Sequence, residues 1–321
     1  MNAKLDIKDR KILYELDIDA RQSFHEIGRK VGLSKEVVNY RIRRLEQLGV
    51  IKGYYTLINM SRLGYMCNRF FIKLKNASSG EEQKIINFFV QHQKYWWVNS
   101  IDGFRDIGIA SWEKTIVDCQ KRKEELLVNF KPYLGAVNQS IYTGFYIYRR
   151  AYLVGKKIKN TPVISYITEK IETVDSIDID ILHHIAENAR IPLTELAQKL
   201  GLTIAIVTYR IKRMRETKVI EGFRAMIDVS TMGYFWYKIE FTLKEYSGKK
   251  EMLGYFAVHP NVVYAYESTA EADLEVELEV ESYDQFREIL ADFRTRFTDT
   301  IESYRHLLWF KEHKILFFPV E

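Results

Sequence analysis

A chain of 321 residues with 47% hydrophobic and 28% charged residues is too long for one ordinary domain and has the composition of folded globular proteins. Its formal charge of +5 suits an anionic partner without establishing one. Two separated cysteines, the lack of any apolar run near the roughly 18 residues of a membrane span, and a charged start argue against a disulfide framework, a membrane protein and a signal peptide; a cytoplasmic setting is expected.

In chain order, the first 53 residues carry three helical patterns. Ile12, Leu13 and Leu16 mark the buried face of the first, Ile27 and Val31 that of the second, and Val38, Ile42 and Leu45 that of the third. Only Gly32-Leu33 separate the second from the third, and Ser34 is placed to cap the third. A short glycine turn between two amphipathic helices is a helix-turn-helix signature.

The period then changes to two. Phe70, Ile72 and Leu74 alternate with Phe71, Lys73 and Lys75, predicting a half-buried strand. A helix over Glu81 to His92, a strand pair, a helix from about Glu113 to Phe130 and a final strand from near Val137 complete the order βαββαβ. That order predicts a ferredoxin-like α+β sandwich with helices on one sheet face and the other face free to pack on a second sheet. Residues 154–173 read as a linker with one extended segment around Val163 to Ile167.

The chain then repeats itself. Residues 174–222 overlay 5–53 without a gap, at an offset of 169, with 18 of 49 positions identical. Strands and helices follow in the same order, at an offset of 167 beyond the first strand. The expected organisation is α+β: helix-turn-helix units at 1–53 and 174–222, ferredoxin-like units at 54–153 and 223–321, and the linker at 154–173.

A helix fits the major groove, its N-terminal residues read base edges, and phosphate contacts fix register. In the first copy Asn39 and Arg43 are base-reading candidates, Lys35, Arg41 and Arg44 are phosphate contacts, and Ser34 and Tyr40 belong to the same surface. The bland alternative has Arg41 paired with a carboxylate of its own domain. In the second copy Thr203, Thr208, Tyr209, Arg210, Lys212 and Arg213 keep the pattern, while Ile204, Ala205 and Ile206 replace Lys35, Glu36 and Val37. That apolar end suits thymine methyl groups, or else packs on protein.

These motifs resemble the Lrp/AsnC family of feast/famine regulators, on Leu13, Ala20-Arg21, Gly32-Leu33-Ser34, Arg41-Ile42, Leu45-Glu46, Gly49-Val50-Ile51 and Gly53, with His259-Pro260-Asn261-Val262 and the Gly103 to Asp106 loop adding matches. The resemblance implies a transcription regulator that binds double-stranded DNA, dimerises through its sensing domains, and responds to a small effector such as an amino acid. Members are usually single modules, so the fused chain is expected to act as an intramolecular pseudo-dimer or to form a homo-oligomer. The resemblance also places effector contacts in the turn Ile101 to Gly108, where Gly103 offers an approachable N–H and Asp102 or Asp106 an acceptor for an ammonium group. A hairpin turn with a capping aspartate is the plain alternative.

Seven histidines without HxxxH or HExxH spacing, and no phosphate loop or nucleophile motif, lead to the expectation of no metal, no cofactor, no catalytic residue and no enzymatic activity. Two rivals remain: a sirohaem decarboxylase built on tandem Lrp/AsnC modules, and an assembly or effector-binding module without DNA contact. The acidic row Asp273, Glu275, Glu277, Glu279 and Glu281 is read as a solvated or partner-facing strand meeting basic groups of the other sensing domain, and the tryptophans as sheet packing.

Overall fold

The structure, a computed structural model, describes residues 3–155, 163–166, 170–316 and 318. Each helical unit forms as its pattern dictates. α1 (Ile7–Ile18), α2 (Phe24–Val31) and α3 (Lys35–Gln47) recur as α6 (Ser176–Glu187), α7 (Leu193–Leu200) and α8 (Ile204–Glu216). Ser34 Oγ accepts from Val37 N at 3.3 Å, and Thr203 Oγ1 from Ile206 N at 3.3 Å, so both third helices are capped alike. Gly32 and Gly201 take φ of +70° and +64°, the left-handed turn that lets the next helix start two residues later.

β1 (Ile51–Ile58) and β7 (Ile220–Ile227) follow the helical units and pair with each other. Tyr55 sits opposite its own counterpart, Arg224, so a pseudo-twofold axis passes through that pair. Reciprocal bonds confirm the axis. Ala20 N donates to Phe223 O and Ala189 N to Tyr54 O, both at 2.9 Å, while Arg21 donates to Ala189 O and Arg190 to Ala20 O. Each helical unit packs on the other half's ribbon strand: Leu13 and Ile42 share a core with Ala225 and Ile227, and Leu182 and Ile211 share one with Tyr54 and Ile58.

The remaining elements are β2 (Met66–Leu74), α4 (Ser79–Gln91), β3 (Tyr95–Asp102), β4 (Ile107–Glu113), α5 (Ile116–Phe130), β5 (Leu134–Ile147) and β6 (Val163–Tyr166) in the first half. In the second they are β8 (Phe235–Leu243), α9 (Lys249–Phe256), β9 (Val262–Ser268), β10 (Leu274–Val280), α10 (Tyr283–Arg296) and β11 (Ile301–Ile315). The order βαββαβ is thus present twice. The final strand of the first half ends earlier than its apolar pattern suggested, and of the linker at 154–173, the stretches 156–162 and 167–169 lie outside the described residues.

One expectation is altered. The two sheets do not pack face to face as separate layers. Instead β5 pairs with β9, and β11 with β3, so that β2-β4-β3-β11-β8-β10-β9-β5 closes on itself through β2–β5, with β6 added outside on β5. Closure removes the exposed edges and turns alternate residues inward. Phe70, Ile72 and Ile109 face α4 and α5, and Ile239, Leu274 and Val276 face α9 and α10. Their alternates, among them Phe71, Trp97 and Trp309, fill the barrel.

Candidate nucleic-acid interface and axial cavity

Most of the residues read as DNA-facing on the third helices are exposed, and four arginines among them are not. Ser34, Lys35, Tyr40 and Arg43 are exposed on α3, and Asn39 is half-buried; Thr203, Thr208, Tyr209 and Lys212 are exposed on α8. Arg41 and Arg44, read as phosphate contacts, and their counterparts Arg210 and Arg213 are turned inward. Arg41 Nη1 lies 2.8 Å from both Asp6 Oδ2 and Asp9 Oδ1, and Arg44 Nη2 lies 3.1 Å from Asp9 Oδ2. Arg210 pairs with Asp175 and Asp178, and Arg213 with Asp178. Asp9 and Asp178 are fully buried, so these arginines satisfy a buried charge and lock the third helix to the first. The signal was visible: Asp9/Asp178 and Arg41/Arg210 are retained together in both copies.

The apolar end of α8 does not pack on the described part of the chain. Ile204 is 47% and Ile206 40% exposed, beside Tyr209 at 63%, matching Val37 at 39% and Tyr40 at 67% on α3. Two equivalent capped helix starts therefore reach solvent with unlike chemistry.

The predicted effector residues lie in a braced turn. Asp106 accepts from Leu74 N at 2.6 Å and from Lys73 Nζ at 2.7 Å. Its counterpart Asp273 accepts from Leu243 N at 2.8 Å, so the aspartate braces a turn in both halves. Gly103 has φ +143° beside Leu307, and Asp102 is exposed.

A cavity of about 210 Å³ lies instead on the pseudo-twofold axis, between the β1–β7 ribbon and the inward faces of the barrel strands. Trp96, Trp97, Trp112 and Trp236 line it with Tyr142, Tyr264, Tyr266 and Phe145; its charged groups are Arg150, Glu277 and Glu312. Trp96 stacks on Trp112 at 5.2 Å, and Phe145 on Tyr266 at 4.8 Å. Sequence periodicity assigned these rings to packing, because only barrel closure reveals which inward positions border a void.

The centre of the acidic row, Glu275, Glu277 and Glu279, is buried, while Asp273 is half-buried and Glu281 exposed. Glu275 takes a bidentate pair from Arg69 of the other half, at 2.6 and 2.7 Å, and Lys238 lies against the same carboxylate. These cations hold Glu275 well below the usual carboxyl range despite its burial. Glu279 binds Arg150 at 2.9 Å, and Arg150 also binds Asp17 at 2.7 Å. Glu277 accepts from Trp236 Nε1 at 2.9 Å and from the Tyr266 hydroxyl, with Lys238 at 3.9 Å, and burial lifts its carboxyl to about 7. Burial lifts Glu312 to about 7 as well.

Residues 5–46 and 174–215 both match the AsnC-type helix-turn-helix domain. A helix-turn-helix transcriptional regulator of Pyrococcus furiosus is 30% identical over 125 residues, 38% of this chain and 81% of that protein. The chain belongs to the Lrp/AsnC family. The proline dehydrogenase transcriptional activator of Rhodobacter capsulatus is 47% identical over 64 residues, 20% of this chain and 42% of the activator, so less than half of that relative is spanned. Among solved structures, the siroheme decarboxylase NirDL superposes with a TM-score of 0.62 at 12% identity, covering 96% of this chain and 93% of that one. The family's helix-turn-helix unit thus occurs twice here, in a tandem fold shared along its length with an enzyme. That match overturns the expectation of no enzymatic activity, because a protein of the same tandem fold is a siroheme decarboxylase. No helix among the described residues is long and apolar enough to cross a membrane.

Proposed function

We propose that the chain is a DNA-binding transcription regulator in which one polypeptide does the work of a dimer, with α3 and α8 reading two half-sites. The observation that carries this reading is the pair of exposed, identically capped third helices related by the ribbon's pseudo-twofold axis. On α3, Asn39 and Arg43 read bases and Lys35 meets phosphate; on α8, Ile204 and Ala205 meet thymine methyls while Thr208 and Lys212 meet the backbone. Arg41, Arg44, Arg210 and Arg213 position these helices. The axial cavity is the effector site, because its ceiling is the ribbon on which both helical units pack. Footprinting and a salt titration test the reading. Two protected half-sites on one face of the duplex, with log K falling by about 0.9 per neutralised phosphate against log salt, are expected; a flat salt dependence and no footprint overturn it.

A second reading, tetrapyrrole decarboxylation, has the full-length likeness to the siroheme decarboxylase fold in its favour. It must place an anionic substrate beside Glu277 and Glu312, with Arg150 already held by Asp17 and Glu279. A visible absorption titration with siroheme decides it: a saturable Soret shift followed by loss of carbon dioxide supports the reaction, and an unshifted spectrum removes it.

A further inference from the structure

A homodimer with a cavity on its twofold axis lines that cavity with identical pairs. Duplication within one chain has removed this constraint. Ala110 is the counterpart of Glu277, and Phe145 that of Glu312. Both members of each pair border the cavity. Both cavity carboxyl groups are therefore contributed by the second half, while the stacked indoles of Trp96 and Trp112 come from the first. Such a cavity suits an unsymmetrical guest with one charged end and one flat apolar end.

The sign of the charge follows from what the neighbouring ions already do. Lys238, facing Glu277 from β8, is engaged with Glu275, which also takes Arg69. Lys52, on β1 and facing Glu312, is held by Asp228 at 2.6 Å. Arg150, the remaining cation at the lining, is shared between Asp17 and Glu279. Each carboxyl group in the cavity thus shares its nearest cation with another carboxylate, and no lining cation among the described residues is left for a carboxylate of the guest. The indole N–H groups of Trp96 and Trp112 are buried without acceptors. Two neutral donors do not offset the desolvation of a carboxylate as a guanidinium does. They suit a neutral acceptor on the guest, and the surrounding ring faces attract an ammonium ion.

We propose that the axial cavity binds a small aromatic amine, its ammonium group held by a carboxyl group of the second half and its ring among the tryptophans, and that it discriminates against the parent amino acid. The inference rests on the reading of this cavity as the effector site. The elevated carboxyl groups agree with it: an arriving cation draws both into their charged form, so binding releases protons and tightens as pH rises from 6 to 8.

Four of the chain's five tryptophans line the cavity, so intrinsic fluorescence reports occupancy directly. The full chain, without DNA, is titrated at pH 8 with tryptamine and phenethylamine, and in parallel with tryptophan, phenylalanine and indole-3-propionate. The amines are expected to saturate at least about tenfold more tightly than their amino acids, with no response to the acid, and Glu312→Gln is expected to weaken the amines by about tenfold. Glu312 is only half-buried, so this variant keeps the test available if Glu277→Gln does not fold. Equal binding of amine and amino acid, indifference to Glu312→Gln, or no saturation by either amine at about 1 mM overturns the proposal. Because DNA is absent, these results leave the footprint to decide DNA binding separately.

Discussion

In the first half, α1 is tied to the barrel by a buried ionic knot. Asp17 receives Arg150 and Arg224, and Arg150 passes the connection on to Glu279. In the second half the counterpart of Asp17 is Ala186, which lies with Met60 and Phe223 in a purely apolar contact. The two helical units share a scaffold and differ in how they are fastened. An ionic knot tolerates little displacement, because a separated buried charge is costly, whereas an apolar contact slides at lower cost. The difference teaches that duplication freed the halves to specialise both in attachment and, through Lys35 against Ile204, in the exposed start of the third helix.

The largest expected effect comes from cutting the knot. Asp17→Ala leaves Arg150 and Arg224 short of a partner and should cost about 3–5 kcal/mol in urea denaturation; a loss below about 1 kcal/mol would mean that the two units are fastened alike. The cavity carboxyl groups come next. Their folded pKa of about 7 lies above the unfolded carboxyl value, so the folded state binds more protons between the two. Stability should therefore fall as pH rises from about 4.5 to 7, by on the order of 3 kcal/mol for Glu277. Glu277→Gln should flatten that slope in pH-dependent melting. Glu275 behaves oppositely: its depressed pKa contributes stability that is lost only in acid, below the ordinary carboxyl range.

Smaller effects separate positioning from contact. Arg41→Ala and Arg210→Ala should each lower stability by about 1–3 kcal/mol by exposing the buried Asp9 or Asp178 charge. Lys35→Ala and Lys212→Ala should change stability by less than about 0.5 kcal/mol and reduce the salt slope of DNA binding by about 0.9 each. If Arg41→Ala changed the salt slope and left melting untouched, the inward assignment would be wrong.

The helical units, the βαββαβ order and the repeat were legible because each rests on local periodicity, capping and self-similarity: Ser34 and Thr203 cap as read, and the offsets of 169 and 167 hold in the register of β2–β5 against that of β8–β11. What was not legible depends on contacts between halves. Tyr55 meeting Arg224, Arg69 reaching Glu275 and the closure of the barrel are distant in sequence and carry no local signal. The acidic alternation of β10 was read as solvated or partner-facing, and the partner-facing part stands for Glu275; the burial came from closure. Asp102, Gly103 and Asp106 were singled out through the family resemblance, and the bracing role of Asp106 is the capping alternative that the sequence also offered.

Selection of bound sequences from random duplex DNA by the intact chain tests the central claim most directly. Two unlike half-sites in fixed spacing, one of them rich in thymine, are the expected result. A perfect palindrome, a single half-site or no enrichment would contradict an asymmetric reader built from two specialised copies.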